Sequence, residues 1–261
     1  MKQFDMSDQG SSEHLGMTHY VDLPTKGEFY PVNHPLKDVD KLEVKMLTTK
    51  EEDILTNQSY IENDVVIDKF LESIIIGSFD PREMYDADKT AILVASRIEA
   101  YGPSYDIGLS CSGCGEFYSH TIDLESFGTQ EPQEKLESTP EGSLLIELPK
   151  SKKVIEFRHL LPKEVATIQK TVDKMLKLNI STSFNVEFYK RIILSVDGVQ
   201  DKEQIGNFID NLRLMDSRKL FLAYRNSLPT LNTSFTSRCP KCDNVNEGGM
   251  PIQANFFFPE F

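Results

Sequence analysis

The chain has 261 residues and a mass of 29.7 kDa, enough for one large domain or two small ones. Its 39% hydrophobic and 26% charged residues are typical of a globular protein, which excludes wholesale disorder. The formal net charge is −13, and a chain this acidic lacks the positive field that nonspecific nucleic-acid binding needs. No apolar run reaches the roughly 18–20 residues of a membrane helix, so we expect neither nucleic acid nor a membrane as a partner.

The charge is distributed unevenly along the chain. Between Lys150 and Arg191 there are ten basic and four acidic residues, a local charge of +6 that leaves −19 for the rest. Oppositely charged regions of this kind favour a protein that meets protein partners rather than nucleic acid.

The N-terminal part is predicted to be a leader followed by mainly helical structure. Residues 1–20 are polar and lack the apolar segment of a secretion signal, which predicts a flexible leader and folding in a reducing cytoplasm. The region 21–104 is predicted to hold one strand and a small helical bundle. The strand is indicated by Leu42, Val44 and Met46, which alternate with charged residues. Three helices follow: one capped by Thr49 and Glu52 and ending near Thr56, one from about Asp64 to Gly77, and one capped by Asp86 and ended by Gly102 and Pro103.

Two predicted β-hairpins that carry cysteines, at 105–127 and 231–261, enclose the rest of the chain. The acidic, proline-containing segment 128–142 is predicted to be a loop, and 143–230 a β-hairpin with a helical insertion. The insertion's predicted elements are strands over 143–149 and 152–160, and helices from Pro162 to about Leu178, Val186 to Val196, Glu203 to Met215 and Asp216 to Ser227. The predicted class is therefore α+β, a mainly helical body with short β-hairpins that form a split zinc ribbon.

The four cysteines form two Cys-x-x-Cys pairs, Cys111 with Cys114 and Cys239 with Cys242. Two intervening residues let a tight turn direct both sulfurs at one ion, and two such turns supply the four thiolates that structural Zn²⁺ accepts. The pairs are 124 residues apart, which is compatible with one site because the entropy of loop closure grows only logarithmically with length. We therefore predict one structural Zn²⁺ and no open position for a substrate.

Other interpretations of the cysteines remain open from sequence. Two disulfides fit poorly with a chain that has no secretion signal, and a redox pair would be expected at a helix N-terminus rather than in a hairpin. Unrelated core cysteines are a further alternative. His120, six residues after Cys114, is a substitute ligand.

No catalytic motif is present: the sequence has no Gly-x-Ser-x-Gly, phosphate loop, dinucleotide fingerprint or His-Glu-x-x-His. The acidic group Asp80, Glu83, Asp86 and Asp88 is interpreted as solvated loop and cap residues, with a metal or catalytic role as the alternative. We expect neither enzymatic activity nor a small-molecule substrate.

The predicted helix that begins at Pro162 has a basic face. At about 100° per residue four lysines share one side, opposite an apolar side. The lysines are Lys163, Lys170, Lys174 and Lys177, and the apolar residues are Val165, Ile168, Val172, Met175 and Leu176. The face is either an ordinary solvated surface or a docking surface for an acidic partner or for the acidic loop of another copy.

The C-terminal segment 251–261 is predicted to be an extended strand. Phe256 and Phe258 would then share the face that packs on the protein. Phe257 would lie on the other face, as a harmless exposure or an anchor for a partner.

Several stretches together resemble the baseplate proteins of T-even-like contractile-tailed phages, specifically the hub and hub-assembly group. The matching residues are Leu23-Pro24-Thr25-Lys26-Gly27, Tyr30-Pro31, Lys50-Glu51-Glu52-Asp53-Ile54-Leu55, Tyr101-Gly102, Tyr105, the two Cys-x-x-Cys pairs, Asp197-Gly198, Phe208-Ile209, Leu212, Asp216-Ser217-Arg218 and Phe256-Phe257-Phe258-Pro259. The chain departs from the pattern at Phe258, where tryptophan is expected.

The resemblance implies a non-enzymatic tail-morphogenesis protein, a baseplate hub subunit or a hub assembly factor whose partners are other hub or tail assembly proteins. It places the protein in the host cytoplasm during assembly and leaves open whether it stays in the tail baseplate of the virion. The alternative is a zinc-ribbon protein that binds nucleic acid or regulates phage transcription, which predicts basic and aromatic residues around the cysteines. Only Arg238 and Lys241 are basic there.

Overall fold

The computed structural model describes residues 17–139, 141–179 and 181–258. These residues form an α+β protein, as predicted, with eight α-helices and small antiparallel sheets. The helices are α1 (Thr49–Leu55), α2 (Gln58–Glu62), α3 (Val66–Ile74), α4 (Asp86–Tyr101), α5 (Pro162–Lys177), α6 (Phe184–Ile192), α7 (Lys202–Asp210) and α8 (Leu214–Asn226). None of them is long and apolar enough to cross a membrane.

The strands are short and pair only antiparallel within the described ranges. They are β1 (Thr18–Asp22), β2 (Lys41–Lys45), β3 (Ser104–Ser110), β4 (Phe117–Asp123), β5 (Gly128–Gln130), β6 (Glu137–Ser138), β7 (Leu144–Glu147), β8 (Val154–Phe157), β9 (Ile193–Val196), β10 (Thr230–Asn232), β11 (Ser234–Arg238) and β12 (Val245–Gly249). The sheet β6-β7-β8-β9 has four strands, and β1-β2, β3-β4, β5-β10 and β11-β12 are two-stranded. The pair β5-β10 joins the chain before the insertion to the chain after it.

Two large hydrophobic cores, besides a small cluster around the cysteines, divide the described part of the chain. The outer core takes its buried side chains from residues 21–124 and 250–257, together with Leu161. The insert core takes its buried side chains from residues 144–223 only. The outer core is therefore built from two parts of the chain that are far apart in sequence, whereas the insert core is contained in one continuous segment.

His159 lies where the two cores meet, among aromatic rings from both. Phe29 and Tyr85 contact it from the outer part, and Phe157 and Tyr224 from the insertion. Burial lowers the pKa of His159 to about 3, so the folded protein holds the ring neutral. Because an unfolded histidine titrates near pH 6.5, this residue's contribution to stability is complete above about that pH and falls as the pH drops toward 3.

Asp88, on α4, organises the proline-rich segment that precedes the bundle. Its side chain is fully buried, and its carboxylate accepts hydrogen bonds from Thr25 N (3.0 Å), Thr25 Oγ1 (2.6 Å) and Tyr30 Oη (2.8 Å). Tyr30 Oη in turn accepts from the backbone N–H of Tyr85 at 3.0 Å. The interpretation of Asp88 as a solvated acid is therefore wrong: this carboxylate fixes an irregular segment against a helix.

Replacing Asp88 with alanine is expected to lower the free energy of unfolding by about 3 kcal/mol or more, because three donors would lose their buried acceptor. The matched control is Asp86→Ala two residues earlier, where the side chain is exposed in the first turn of α4. That control removes only an interaction with the helix dipole, a loss of less than about 1 kcal/mol. Urea denaturation measures both, and equal losses for the two variants would contradict the role given to Asp88.

Several predicted element boundaries are wrong. The capping box is Thr48 with Glu51, one residue earlier than predicted, because Thr48 is the residue with extended backbone and Glu51 accepts from its N–H. The helix predicted to reach Val196 ends at Ile192. The next four residues form β9, which pairs with β8 at the edge of the four-stranded sheet and buries Ile193 and Ser195. Short strands also occupy parts of two segments predicted to be irregular: β5 and β6 in 128–142, and β1 at the end of the leader. The rest of the predicted leader, residues 1–16, lies outside the described residues.

The predicted C-terminal strand is also wrong over the described residues, because Ala254–Phe257 forms a 3₁₀ helix; residues 259–261 lie outside the described part. With about three residues per turn, successive side chains are not alternated between two faces. Phe256 and Phe257 are both 1% exposed, and Phe258 is 37% exposed. The ring of Phe257 contacts that of Phe70, with centroids 4.7 Å apart, so it offers no exposed anchor to a partner.

Candidate metal centre and basic helix

The structure brings the four cysteines into one cluster. The Sγ atoms of Cys111 and Cys242 are 3.6 Å apart, those of Cys114 and Cys239 are 3.7 Å apart, and all four lie within 4.8 Å of one another. Zn–S bonds of about 2.3 Å in a tetrahedron give sulfur–sulfur edges of about 3.8 Å, so this donor set fits a zinc ion. A disulfide would require about 2.05 Å, and the four cysteines are free.

The two turns that present the cysteines repeat one backbone geometry. The N–H of Gly115 donates to the carbonyl of Cys111 at 2.9 Å, and the N–H of Asp243 donates to the carbonyl of Cys239 at 3.0 Å. Gly115 has φ +74° and Asp243 has φ +57°, both in the left-handed region. Glycine enters that region freely, and aspartate is among the few other residues that tolerate it. The β3-β4 and β11-β12 hairpins therefore supply two equivalent knuckles, each ending in a residue type suited to the turn.

The electrostatics of the cluster favour a bound cation. The backbone N–H groups of Cys114 and Gly113 lower the pKa of the Cys111 thiol to about 6. At Cys242 the N–H of Asn244 also lowers the pKa, but the neighbouring thiols of Cys114 and Cys111 outweigh it and raise the value to about 12. The neighbouring thiols therefore oppose ionisation of Cys242, and a divalent cation would supply the charge that favours its thiolate.

Polar contacts between the hairpins surround the sulfurs, and sequence reasoning missed them. Asn246 Oδ1 accepts from Ser112 N at 2.9 Å and from Ser112 Oγ at 2.8 Å, while its Nδ2 donates to Tyr118 Oη at 2.9 Å. Tyr118 Oη is also 2.8 Å from Ser237 Oγ. The available signal in the sequence was Asn246, a polar residue in a predicted strand four residues after Cys242. Its side chain can bond to the other hairpin only after the two hairpins have come together.

The alternative ligand His120 takes no part in the cluster. Its ring lies 6.0 Å from that of Phe235, and it belongs to no potential metal-binding group within the described residues. Apolar packing around the sulfurs is limited to Cys111, Tyr118 and Cys239, with Leu109 partly buried beside them. The tips of the hairpins are therefore held together by the cysteine cluster and by the hydrogen bonds of Asn246 and Tyr118, with little apolar packing of their own.

The predicted lysine face lies on α5 with all four lysines exposed. Lys163 Nζ is 3.0 Å from Asp80 Oδ2 and 2.9 Å from Glu83 Oε1, so it ties the insertion to the outer part of the protein. The other three have no hydrogen-bond or ion-pair partner within the described residues: Lys170, Lys174 and Lys177. Ile168 and Val172 are buried on the opposite side, as predicted.

Fold and site together define an α+β protein in which two knuckles that are distant in sequence form one four-thiol centre. A protein-family model described as T4 bacteriophage base plate protein matches residues 18–258, most of the chain. The chain therefore belongs to this family, which confirms the predicted kinship with phage baseplate proteins. A search of curated proteins and a search of solved structures found no match.

Proposed function

We propose that this protein is a non-enzymatic component of phage tail morphogenesis, a baseplate hub subunit or hub assembly factor that acts through protein–protein contacts. The match to the baseplate family over residues 18–258 is the observation that carries the proposal. The closed set of four thiols supports it, because four protein ligands leave no coordination position for a substrate. The protein acts in the host cytoplasm during assembly, at or on its way to the tail baseplate.

We further propose that the cluster of Cys111, Cys114, Cys239 and Cys242 holds one structural Zn²⁺ in a split ribbon. The sulfur–sulfur distances and the paired backbone geometry support this role. The ion would join two hairpins that are distant in sequence, since Cys114 and Cys239 are 125 positions apart.

Nucleic-acid binding is the weaker candidate. The basic side chains beside the second knuckle are paired: Lys241 Nζ lies 2.6 Å from Glu116 Oε2, and Arg238 lies 3.5 Å from Asp243. Paired cations contribute little to a phosphate contact, and the chain carries −13 overall. Tight binding to duplex DNA at physiological salt, measured by fluorescence anisotropy, would favour this candidate instead.

The function is tested by infecting cells with phage whose gene for this protein carries a nonsense mutation. We expect incomplete baseplates and no infectious particles, with recovery when the protein is supplied from a plasmid. Mass spectrometry of intermediates and purified virions then separates the two roles: a hub subunit is present in both, and an assembly factor only in intermediates. Normal yields of infectious virions without the protein would overturn the proposal.

Charge reversal on the lysine face, Lys170→Glu with Lys174→Glu, is expected to leave folding intact because both side chains are exposed. It should weaken capture of baseplate intermediates by the tagged protein, and the loss should be larger at low salt, where exposed charges are screened least. The matched control is Lys135→Glu with Lys202→Glu, which changes the net charge equally at exposed lysines elsewhere. Equal capture by the two double variants at every salt concentration would show that the face is only solvated surface.

A further inference from the structure

Helix α8 presents a stripe of large apolar and basic side chains to solvent. Leu214 is 84% exposed and Phe221 is 45% exposed, and Arg218 and Arg225 are exposed beside them. Their spacing of four, three and four residues places all four on one side of the helix. We call this set the α8 stripe. The opposite side of α8 is buried in the insert core, so the helix is firmly held while the stripe remains free.

The arginine side chains around the α8 stripe have no polar partner among the residues that the structure describes. Three arginines, Arg213, Arg218 and Arg225, have side chains without a hydrogen bond or ion pair to any described residue. By contrast, Lys219 on a neighbouring side of the same helix pairs with Glu134. In a chain with 41 acidic residues, three such arginines on α8 and at its N-cap position are a local positive surface.

We propose that the α8 stripe is the docking surface for an acidic amphipathic helix of another baseplate protein, a proposal that rests on the proposed function. Leu214 and Phe221 form an apolar row along α8. A partner helix covers such a row with apolar residues of its own that are spaced i, i+3 or i+4, and i+7. The flanking guanidinium groups then meet carboxylates, with which arginine makes two parallel hydrogen bonds. From Leu214 to Arg225 the stripe is about 16 Å long at 1.5 Å per residue, which corresponds to three turns of the partner.

Two other occupants fit the surface less well. Phosphate groups of nucleic acid would satisfy the arginines but not the exposed side chains of Leu214 and Phe221. A second copy that docks symmetrically would bring the same arginines face to face, and like charges oppose association. An acidic helix satisfies both the apolar row and the charge.

The first experiment places a photo-crosslinking amino acid, p-benzoylphenylalanine, at position 221 of the full chain in infected cells. The same amino acid at position 117 is the control, because Phe117 is 71% exposed on the first hairpin. We expect position 221, but not position 117, to crosslink to one segment of another baseplate protein. Mass spectrometry should show that this segment is acidic with helical apolar spacing. Crosslinks to DNA, to a second copy or to a segment without that character, or equal yields at the two positions, would overturn the inference.

The second experiment titrates a synthetic peptide of the crosslinked segment with purified full-length variants. Arg218→Glu with Arg225→Glu, and separately Leu214→Ser with Phe221→Ser, should each weaken binding at least about tenfold. The control Val32→Ser, at a side chain that is 69% exposed elsewhere, should leave the affinity unchanged. Unchanged affinity for both stripe variants would overturn the inference. If the protein still enters baseplate intermediates in that case, the proposed function stands and only the surface is wrong.

Discussion

Replacing Cys239 with serine is expected to release the metal and to lower the free energy of unfolding by about 5 kcal/mol or more, since structural zinc contributes on the order of 10 kcal/mol to small domains. The loss is large because the cysteines themselves make up most of the buried packing at the tips of the two hairpins, where otherwise only Tyr118 is buried. Without the ion, the thiols that now face one another at 3.6–3.7 Å retain no bond that holds them. Metal analysis by mass spectrometry and thermal unfolding measure the two parts of the prediction.

The wild-type protein, purified without a metal-affinity tag, should contain close to one zinc per chain, and a strong chelator should reproduce the effect of the substitution. Ser119→Ala serves as the control, since it alters an exposed side chain in the same pair of hairpins. Near-zero zinc with four titratable thiols in a stable wild-type protein would refute the metal site. An unchanged melting curve for Cys239→Ser would show that the ion, even if bound, does not hold the hairpins together.

Substitution of Phe256 or Phe257, the buried phenylalanines of the 3₁₀ helix, is expected to destabilise the protein nearly as much as Cys239→Ser. Phe256→Ala and Phe257→Ala should each lower the free energy of unfolding by about 3–5 kcal/mol, because each leaves a cavity in the outer core. Phe256 contacts Tyr105 with ring centroids 5.2 Å apart, and its carbonyl accepts a hydrogen bond from the buried guanidinium of Arg97 at 3.2 Å. Phe257 contacts Phe70.

The neighbouring variant Phe258→Ala is the internal control for the tail. Its ring is 37% exposed, so we expect a loss below about 1.5 kcal/mol from the same chemical change. Urea denaturation of the three variants distinguishes the 3₁₀ helix from a strand. If the segment were a strand, Phe256→Ala and Phe258→Ala would each lower the free energy of unfolding strongly, and Phe257→Ala would have little effect. The 3₁₀ helix predicts the opposite ranking of Phe257→Ala and Phe258→Ala.

The sequence predicted the parts of this structure that depend on local spacing. The predicted hairpin at 105–127 contains β3 and β4, Pro162 marks the start of α5, and the doubled Cys-x-x-Cys predicted a cluster that the fold does assemble. The first two signals come from neighbouring residues, and the third combines two local Cys-x-x-Cys motifs whose chemistry requires a shared ion.

The errors occurred where distant residues decide the outcome. From its neighbours in sequence, Asp88 cannot be distinguished from a solvated cap residue. It is a buried hydrogen-bond acceptor because Thr25 and Tyr30, about sixty positions away, donate to it. The last residues of the helix predicted to reach Val196 form β9 because they pair with β8 at the edge of the sheet, and Phe257 is buried because its ring packs against Phe70. Local propensity is a weak prior in such places, since tertiary contacts override it.

The division into two cores also sets an order of events on the ribosome. The insert core uses one continuous segment and can close while later residues are still being added, but the outer core waits for Phe256 and Phe257. At about 5–20 residues per second, the 125 positions from Cys114 to Cys239 take roughly 6–25 s to synthesise. During that interval the earlier part of the outer core exposes apolar surface that later residues must cover. A prematurely terminated chain therefore carries a folded insertion beside an outer part that lacks its last core residues, and this exposed outer part is a target for proteases.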